Sequence, residues 1–230
     1  MAAVAYADQA HLEGMMIDPK NSDGTVPVTL YSGSTAQTYT ITKVTIDTMK
    51  AEYSDAAPYV TSGDWVWPAA MENAFAAYAA ANSASGIPHD LNGGNGNMAF
   101  GAIYGSSVPV SYLSVGSASD DALWAAFNSV SSKPTVSSTM SASGLLLPTI
   151  GLPENHMYTA IGANQAAGTV TLRNPWGIVS QASNGFSNNG GQGVNGLGDG
   201  VFEISFADWK TYFLDITQAN PQSTSKMQGS

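Results

Sequence analysis

Residues 156–177 constrain the fold more than any other stretch of this chain. Residues 157–163 and 169–172 show the alternation of half-buried strands, and a polar turn that contains a glycine lies between them. Two such runs on either side of a short turn predict a β-hairpin. Because a hairpin brings its two ends together, we expect His156 and Asn174 to lie side by side.

A histidine beside a side-chain amide has a defined chemical use. The amide oxygen accepts a hydrogen bond from one ring nitrogen, which sets the tautomer and leaves the other nitrogen free for a proton. In cysteine proteases the free nitrogen faces a thiol and stabilises its thiolate. Pro175 stiffens the turn after Asn174, and we expect Trp176 to cover the His156–Asn174 contact. A structural role is the alternative, since Asn-Pro is a common turn initiator.

The wider pattern favours the catalytic interpretation. Four segments of the chain resemble the calpain family of papain-like cysteine proteases, and Arg-Asn-Pro-Trp-Gly is the most specific of them. These segments are Trp67–Tyr78, His156–Tyr158, Arg173–Gly177 and Asp199–Asp208. The resemblance implies that His156 and Asn174 are catalytic and that Pro175 and Trp176 support them.

The same resemblance implies an α+β fold, the papain-like catalytic core of calpains. It predicts a truncated helical lobe together with an antiparallel β-sheet or barrel lobe that carries the histidine and the asparagine. We expect residues 1–55 to be the remainder of the cysteine-bearing lobe and residues 56–217 to form the His/Asn lobe. Residues 218–230 are expected to be a flexible tail.

Local patterns predict the individual elements. The predicted helices are 1–16, 64–82, one that opens at Asp120 and Asp121, and one from the Ser205 cap to Phe213. The predicted strands are 26–31, 39–46 and 134–140, with a turn at Gly33 between the first two. Residues 180–200, rich in glycine and asparagine, are predicted to be a flexible surface insertion. We expect His11 to be a surface or packing residue and His89 to be a solvated loop residue.

The chain has no cysteine, so it has no thiol nucleophile and cannot form an acyl-enzyme by itself. In calpains the nucleophile opens a helix ahead of a Leu-Ala-Ala-like run, which residues 1–5 resemble. We therefore expect the cysteine just before Met1, on an upstream segment or on a separate N-terminal fragment. The predicted function is a calpain-like cysteine endopeptidase that acts on polypeptides, with this chain inactive alone.

Two other functions are compatible with the residues. The first is a catalytically dead papain-like binding module of a larger secreted or surface protein. The second is a structural, β-rich carbohydrate-binding module, which a His156–Asn174 pair inaccessible from any cleft would favour. The upstream coding sequence discriminates the first alternative from the protease.

Cysteine protease chemistry requires no cofactor. Calpains, however, bind Ca²⁺ through carboxylates in this half of the domain, and one of these is the aspartate of an Asp-Gly-x-Phe motif. Asp199 matches that aspartate, but the acid expected two residues later is Val201. Asp199 is thus a candidate calcium ligand, with a plain turn residue as the alternative.

The composition excludes some partners. The net charge of −10, from 17 acidic and 7 basic residues, argues against binding to nucleic acids or anionic membranes. No apolar run reaches the roughly 18 residues needed for a membrane span. Only 10% of the residues are charged, and this low share favours an extracellular or cell-surface location, as in bacterial surface proteins.

Overall fold

The computed structural model describes residues 2–15, 25–42, 67–82, 94–141, 150–177, 179–182, 185–187 and 194–221. These residues form an α+β fold of helices and antiparallel sheets. The helices are α1 (Ala2–Ala7), α2 (Gln9–Met15), α3 (Trp67–Ala81), α4 (Gly96–Tyr104), α5 (Asp120–Asn128) and α6 (Phe206–Tyr212). None of the helices in the described ranges is long and apolar enough to span a membrane.

The strands build one large sheet and two small hairpins. The strands are β1 (Val26–Ser32), β2 (Thr35–Ile41), β3 (Val110–Ser114), β4 (Thr135–Thr139), β5 (Met157–Asn164), β6 (Thr169–Arg173), β7 (Ser180–Ala182), β8 (Gly185–Ser187), β9 (Val194–Gly198), β10 (Val201–Ser205) and β11 (Phe213–Ala219). The seven-stranded antiparallel sheet has the order β3-β11-β4-β5-β6-β10-β9, while β1 pairs with β2 and β7 with β8. The candidate residues therefore flank the β5–β6 hairpin near the middle of the large sheet.

The large sheet separates two hydrophobic cores. Helices α1 to α4 and strands β1 and β2 form the first core, against which Met157 packs. Helices α5 and α6 cover the second core, which contains Tyr158 and Trp209. Because consecutive residues of a strand point to opposite faces, the step from Met157 to Tyr158 takes β5 from one core to the other.

Helix α4 packs directly onto the sheet through a glycine. Its N-cap Asn95 accepts a hydrogen bond from the main-chain N–H of Met98. A Cβ atom at Gly96 would lie 2.7 Å from Val136 and 2.8 Å from Thr217. The absence of a side chain at Gly96 thus allows the helix to approach β4 and β11 closely.

Several predicted elements are confirmed. The hairpin of residues 156–177 is present as β5 and β6, α3 and β4 lie within their predicted ranges, and α5 opens at Asp120 as predicted. Ser205 caps α6 by accepting a hydrogen bond from the N–H of Asp208. The predicted first helix is interrupted at Asp8, whose carboxylate accepts a hydrogen bond from the hydroxyl of Tyr104.

Other predictions need correction. Strand β2 begins at Thr35, earlier than predicted. The predicted flexible insertion contributes β7 and β8, which pair with each other, and the edge strand β9, whose glycine-rich residues 194–198 pair with β10. The predicted tail starts too early, since Gln218 is buried in β11 and its amide donates a hydrogen bond to Thr135.

The predicted division of the chain at residue 55 stays a prediction. Residues of α3 and α4 are buried in the first core together with β1 and β2, and α4 also packs against β4 and β11 of the large sheet. The predicted extension of β2 to residue 46, the loop at 89–93 and the tail from residue 222 lie outside the described residues.

The tight contact at Gly96 generates a stability prediction. Gly96→Ala should lower the free energy of unfolding by about 1–3 kcal/mol, because the new methyl group overlaps Val136 and Thr217. Gly101→Ala is the matched control in the same helix, since a Cβ there meets no atom within 4 Å. The control should raise stability by up to ~1 kcal/mol through helix propensity. Urea denaturation measures both, and equal effects would contradict the packing described.

Candidate active site

The hairpin brings His156 and Asn174 into direct contact. Strand β5 starts immediately after His156, and Asn174 immediately follows the last residue of β6. The ring nitrogen Nε2 of His156 lies 2.9 Å from Oδ1 of Asn174. The predicted contact is thus confirmed, whereas the catalytic roles of the two residues stay predictions.

A third group determines the direction of this hydrogen bond. The main-chain N–H of Trp176 donates to Oδ1 of Asn174 at 3.0 Å. Because a main-chain N–H can only donate, the amide atom that faces it must be the oxygen. The same oxygen faces the imidazole, so Nε2 of His156 carries the proton and donates. In the neutral ring, Nδ1 is therefore the nitrogen with the free electron pair.

Aromatic rings and burial define the surroundings of the imidazole. The centroids of the Trp176 and Tyr158 rings lie 4.2 Å and 5.0 Å from that of His156. Asn174 is fully buried, while Trp176 is 46% exposed. Burial lowers the pKa of His156 and the hydrogen bond to Asn174 partly opposes this shift, so the surroundings favour the neutral ring.

The loop that carries Asn174 rests on Gly200. The N–H of Asn174 donates to the carbonyl of Gly200 at 2.8 Å, and the N–H of Gly177 donates to the carbonyl of Asn174. Gly200 has a φ of 75°. A Cβ atom there would lie 2.7 Å from the Asn174 carbonyl oxygen and 2.9 Å from Cα of Gly177. Gly200 therefore supports the position of Asn174.

Asp199 occupies the turn between β9 and β10, next to Gly200. Its φ of 50° is left-handed, which Asp adopts more readily than most residues. In the part of the chain that the structure describes, no three or more His, Cys, Asp or Glu side chains gather as a metal site would require. A calcium-binding role for Asp199 stays a prediction.

His11 is a packing residue, one of the two roles predicted for it. Its ring stacks on Tyr104 with centroids 4.3 Å apart, and Nε2 lies 3.0 Å from the carbonyl of Ile103. His89 lies outside the described residues. His156 is thus the one described histidine whose ring contacts a side-chain amide.

Helix α1 lies against the strands that hold His156. It contacts β4 and β5, and the hydroxyl of Tyr6 donates to the carbonyl of Ile161 at 2.7 Å. Ile161 lies at a bulge in the β5–β6 pairing, where a residue is left out of the regular ladder. The first helix is therefore tied to the strand that begins at Met157.

Sequence reasoning missed two residues that support the pair, Thr139 and Gly200. The hydroxyl of Thr139 accepts a hydrogen bond from the main-chain N–H of His156, and no local pattern pairs residues so distant in the chain. Gly200 is the glycine of the Asp-Gly-x-Phe motif, in which the sequence-based prediction concerns only Asp199. A glycine directly after an acidic turn residue is the signal in the sequence that indicates a position without room for a side chain.

No family model matches this chain, and no curated protein matches it either. The interpretation of the site therefore rests on its motifs and its geometry. A histidine with Nε2 held and Nδ1 free can accept a proton from a nucleophile and return it to a leaving group. Among the described residues, no side chain forms a hydrogen bond with Nδ1.

Substitution of Gly200 tests the support of the Asn174 loop. Gly200→Ala places a methyl group against the main chain of Asn174, at a cost of about 1–3 kcal/mol. Gly198→Ala is the control, because its φ of 95° is also left-handed but a Cβ there meets no atom within 4 Å. Both variants lose roughly 1–2 kcal/mol to backbone strain. Only Gly200→Ala should also shift the ¹H and ¹⁵N resonances of the His156 ring.

The half-buried ring of His156 generates a pH prediction. A histidine whose pKa is lowered in the folded state binds protons better when unfolded. Stability is therefore lost as the pH falls below about 6.5, the ordinary value for histidine. The raised pKa of Asp215, caused by burial, acts in the opposite direction at lower pH. Wild type should lose stability relative to His156→Gln between about pH 7 and pH 5, and a constant difference would contradict the burial of His156.

Proposed function

We propose that this chain is the His/Asn part of a calpain-like, papain-superfamily cysteine endopeptidase. The observation that carries the proposal is the directed hydrogen bond from Nε2 of His156 to Asn174. It leaves Nδ1 as the base, and Trp176 packs against the ring on one side. A buried amide oxygen with two donors is the arrangement needed to hold a catalytic imidazole in one tautomer.

The proposed reaction is hydrolysis of a peptide bond. A cysteine thiol from outside these 230 residues transfers its proton to Nδ1 of His156, and the thiolate attacks the substrate carbonyl. The imidazolium then donates that proton to the leaving amine. In the second half, His156 takes a proton from water, whose oxygen attacks the thioester; the C–S bond breaks, the acid is released, and the imidazolium returns the proton to the cysteine sulfur. Asn174 orients the ring through both steps.

The fold is compatible with this proposal. A papain-like core places a helix that bears the nucleophile against an antiparallel sheet that bears the histidine and the asparagine. Here helices α1 to α4 share one core, while the neighbouring strands β5 and β6 hold His156 and Asn174 at their adjacent ends. Helix α1, whose sequence resembles the run after the calpain cysteine, contacts β4 and β5.

Polypeptides are the proposed substrates, and a segment with the catalytic cysteine is the proposed partner. The reaction as written uses no cofactor, and a Ca²⁺ requirement through Asp199 is a separate proposal. The small share of charged residues, 10%, supports an extracellular or cell-surface location.

A catalytically dead binding module is the second candidate. The observation that favours it is the lack of any cysteine in the 230 residues. In that case the half-exposed Trp176 and the imidazole beside it form a peptide-binding surface without turnover. Chemical-shift changes of both rings on addition of casein peptides, without cleavage, would support this candidate.

Thiol-dependent cleavage tests the enzyme proposal. We expect the 230-residue chain alone to leave casein intact, because it lacks the nucleophile. The same chain, expressed with the coding sequence upstream of Met1, should cleave casein if that sequence supplies a cysteine. His156→Ala in the extended protein should lower kcat by roughly 10²–10⁴, the range for a general base. Peptide release measured by mass spectrometry gives the rates.

Three control measurements distinguish the proposed roles of the cysteine, His156 and Asn174. Iodoacetamide should abolish activity, and Asn174→Ala should lower kcat more than it changes KM, since Asn174 orients the base. His11→Ala serves as the matched histidine control and should retain full kcat if the protein stays folded. Cleavage by the unextended chain, resistance to alkylation or full activity of His156→Ala would each contradict the proposal.

A further inference from the structure

The pairing of β4 with β5 stops one residue before His156. The register joins Val136 to Thr159, Ser137 to Tyr158 and Ser138 to Met157. The next pair in this series is Thr139 with His156. In a regular antiparallel ladder, every second pair of opposite residues exchanges two main-chain hydrogen bonds, in which each N–H donates to the opposite carbonyl. Thr139 and His156 stand at a position of this hydrogen-bonded kind.

Only one of these two bonds is regular. The main-chain N–H of Thr139 donates to the carbonyl of His156 at 2.8 Å. The return bond, from the N–H of His156, goes to the side-chain hydroxyl oxygen of Thr139 at 3.0 Å. The hydroxyl therefore replaces the main-chain carbonyl as the acceptor at the end of the ladder.

The backbone before His156 explains the replacement. Asn155 has a φ of 47°, a left-handed conformation that is uncommon for residues other than glycine. Its N–H donates to the carbonyl of Met140, so the chain has turned away from the strand direction. A side chain that reaches out from β4 can follow this turn, whereas a main-chain carbonyl in the strand cannot.

The same hydroxyl also holds the incoming loop. Its oxygen Oγ1 lies 2.8 Å from the carbonyl oxygen of Pro153 and 3.1 Å from that of His156, so its one hydrogen can donate to either. Thr139 is buried, with 1% of its surface exposed. The main-chain N–H and carbonyl of His156 are thus both hydrogen-bonded to Thr139. Pro153, in the loop that leads into the histidine, is hydrogen-bonded to Thr139 as well.

We propose that Thr139 is a positioning residue, which holds the main chain of His156 so that Nε2 meets Asn174. The inference rests on the proposed function, because it assigns a task in service of the same His–Asn pair. A residue at this position needs one acceptor for the His156 N–H and one donor for the Pro153 carbonyl. Only a hydroxyl on a short side chain supplies both at this distance.

The test is NMR spectroscopy of the ¹⁵N-labelled full chain. Thr139→Val removes the hydroxyl and keeps the branched shape, so the Nε2-bound proton of His156 should exchange with water at least about tenfold faster, because the pair opens locally. The ring ¹⁵N shifts should move toward a mixture of tautomers. Thr139→Ser keeps the hydroxyl and should restore wild-type behaviour.

Thr135→Val is the matched control. Thr135 is equally buried in the same strand, and its hydroxyl bonds to Lys133 and Gln218, away from His156. It should lower overall stability but leave the ring signals of His156 unchanged. Unchanged ring signals in Thr139→Val, or the same change in both valine variants, would overturn the proposal.

A measurement on the wild type covers the case in which Thr139→Val does not fold. The main-chain N–H of His156 lies beyond the last ladder pair, yet it should be protected from hydrogen exchange by at least about a hundredfold relative to an unstructured chain. Exchange at the unstructured rate would overturn the proposal. Neither readout requires proteolysis, so a failed cleavage assay and a failed positioning role remain distinguishable.

Discussion

The candidate site depends on one hydrogen-bonded group, the side-chain oxygen of Asn174. It accepts from Nε2 of His156 and from the main-chain N–H of Trp176, and the second bond decides the direction of the first. Because Asn174 is fully buried, water cannot replace either partner, and a lost bond would leave a buried polar atom unpaired. The position of the side-chain amide of Asn174 therefore decides which nitrogen of the neutral imidazole carries the proton.

Three sets of contacts to the main chain support the His156–Asn174 pair. Gly200 lies under the Asn174 loop at a distance that no side chain would permit. The hydroxyl of Thr139 is hydrogen-bonded to the N–H and within reach of the carbonyl of His156. The main-chain pairing of β5 with β6 connects the strand after His156 to the strand before Asn174. These supports come from β4, from the turn between β9 and β10, and from the β5–β6 ladder. Such convergence is how a rigid scaffold fixes a side-chain geometry to within the tolerance that proton transfer needs.

Sequence patterns were sufficient wherever the deciding interactions are local. The hairpin of residues 156–177, helix α3 and the Ser205 cap of α6 follow from alternation, helical periodicity and capping chemistry over a few residues. The patterns failed where pairing between distant strands decides the structure. Gln218 looks like a tail residue, yet β11 lies between β3 and β4. The glycine-rich residues 194–198 look flexible, yet β10 orders them as an edge strand.

The sequence by itself determined that a histidine and an asparagine close the two ends of a hairpin, since turn chemistry and alternation act within one short stretch. It also determined that no thiol is available within these residues. Only the tertiary structure decided which nitrogen of His156 carries the proton, how deeply the ring is buried, and that Thr139 and Gly200 support it. These properties depend on contacts between residues far apart in the chain, and such contacts leave no periodic signal in a single sequence.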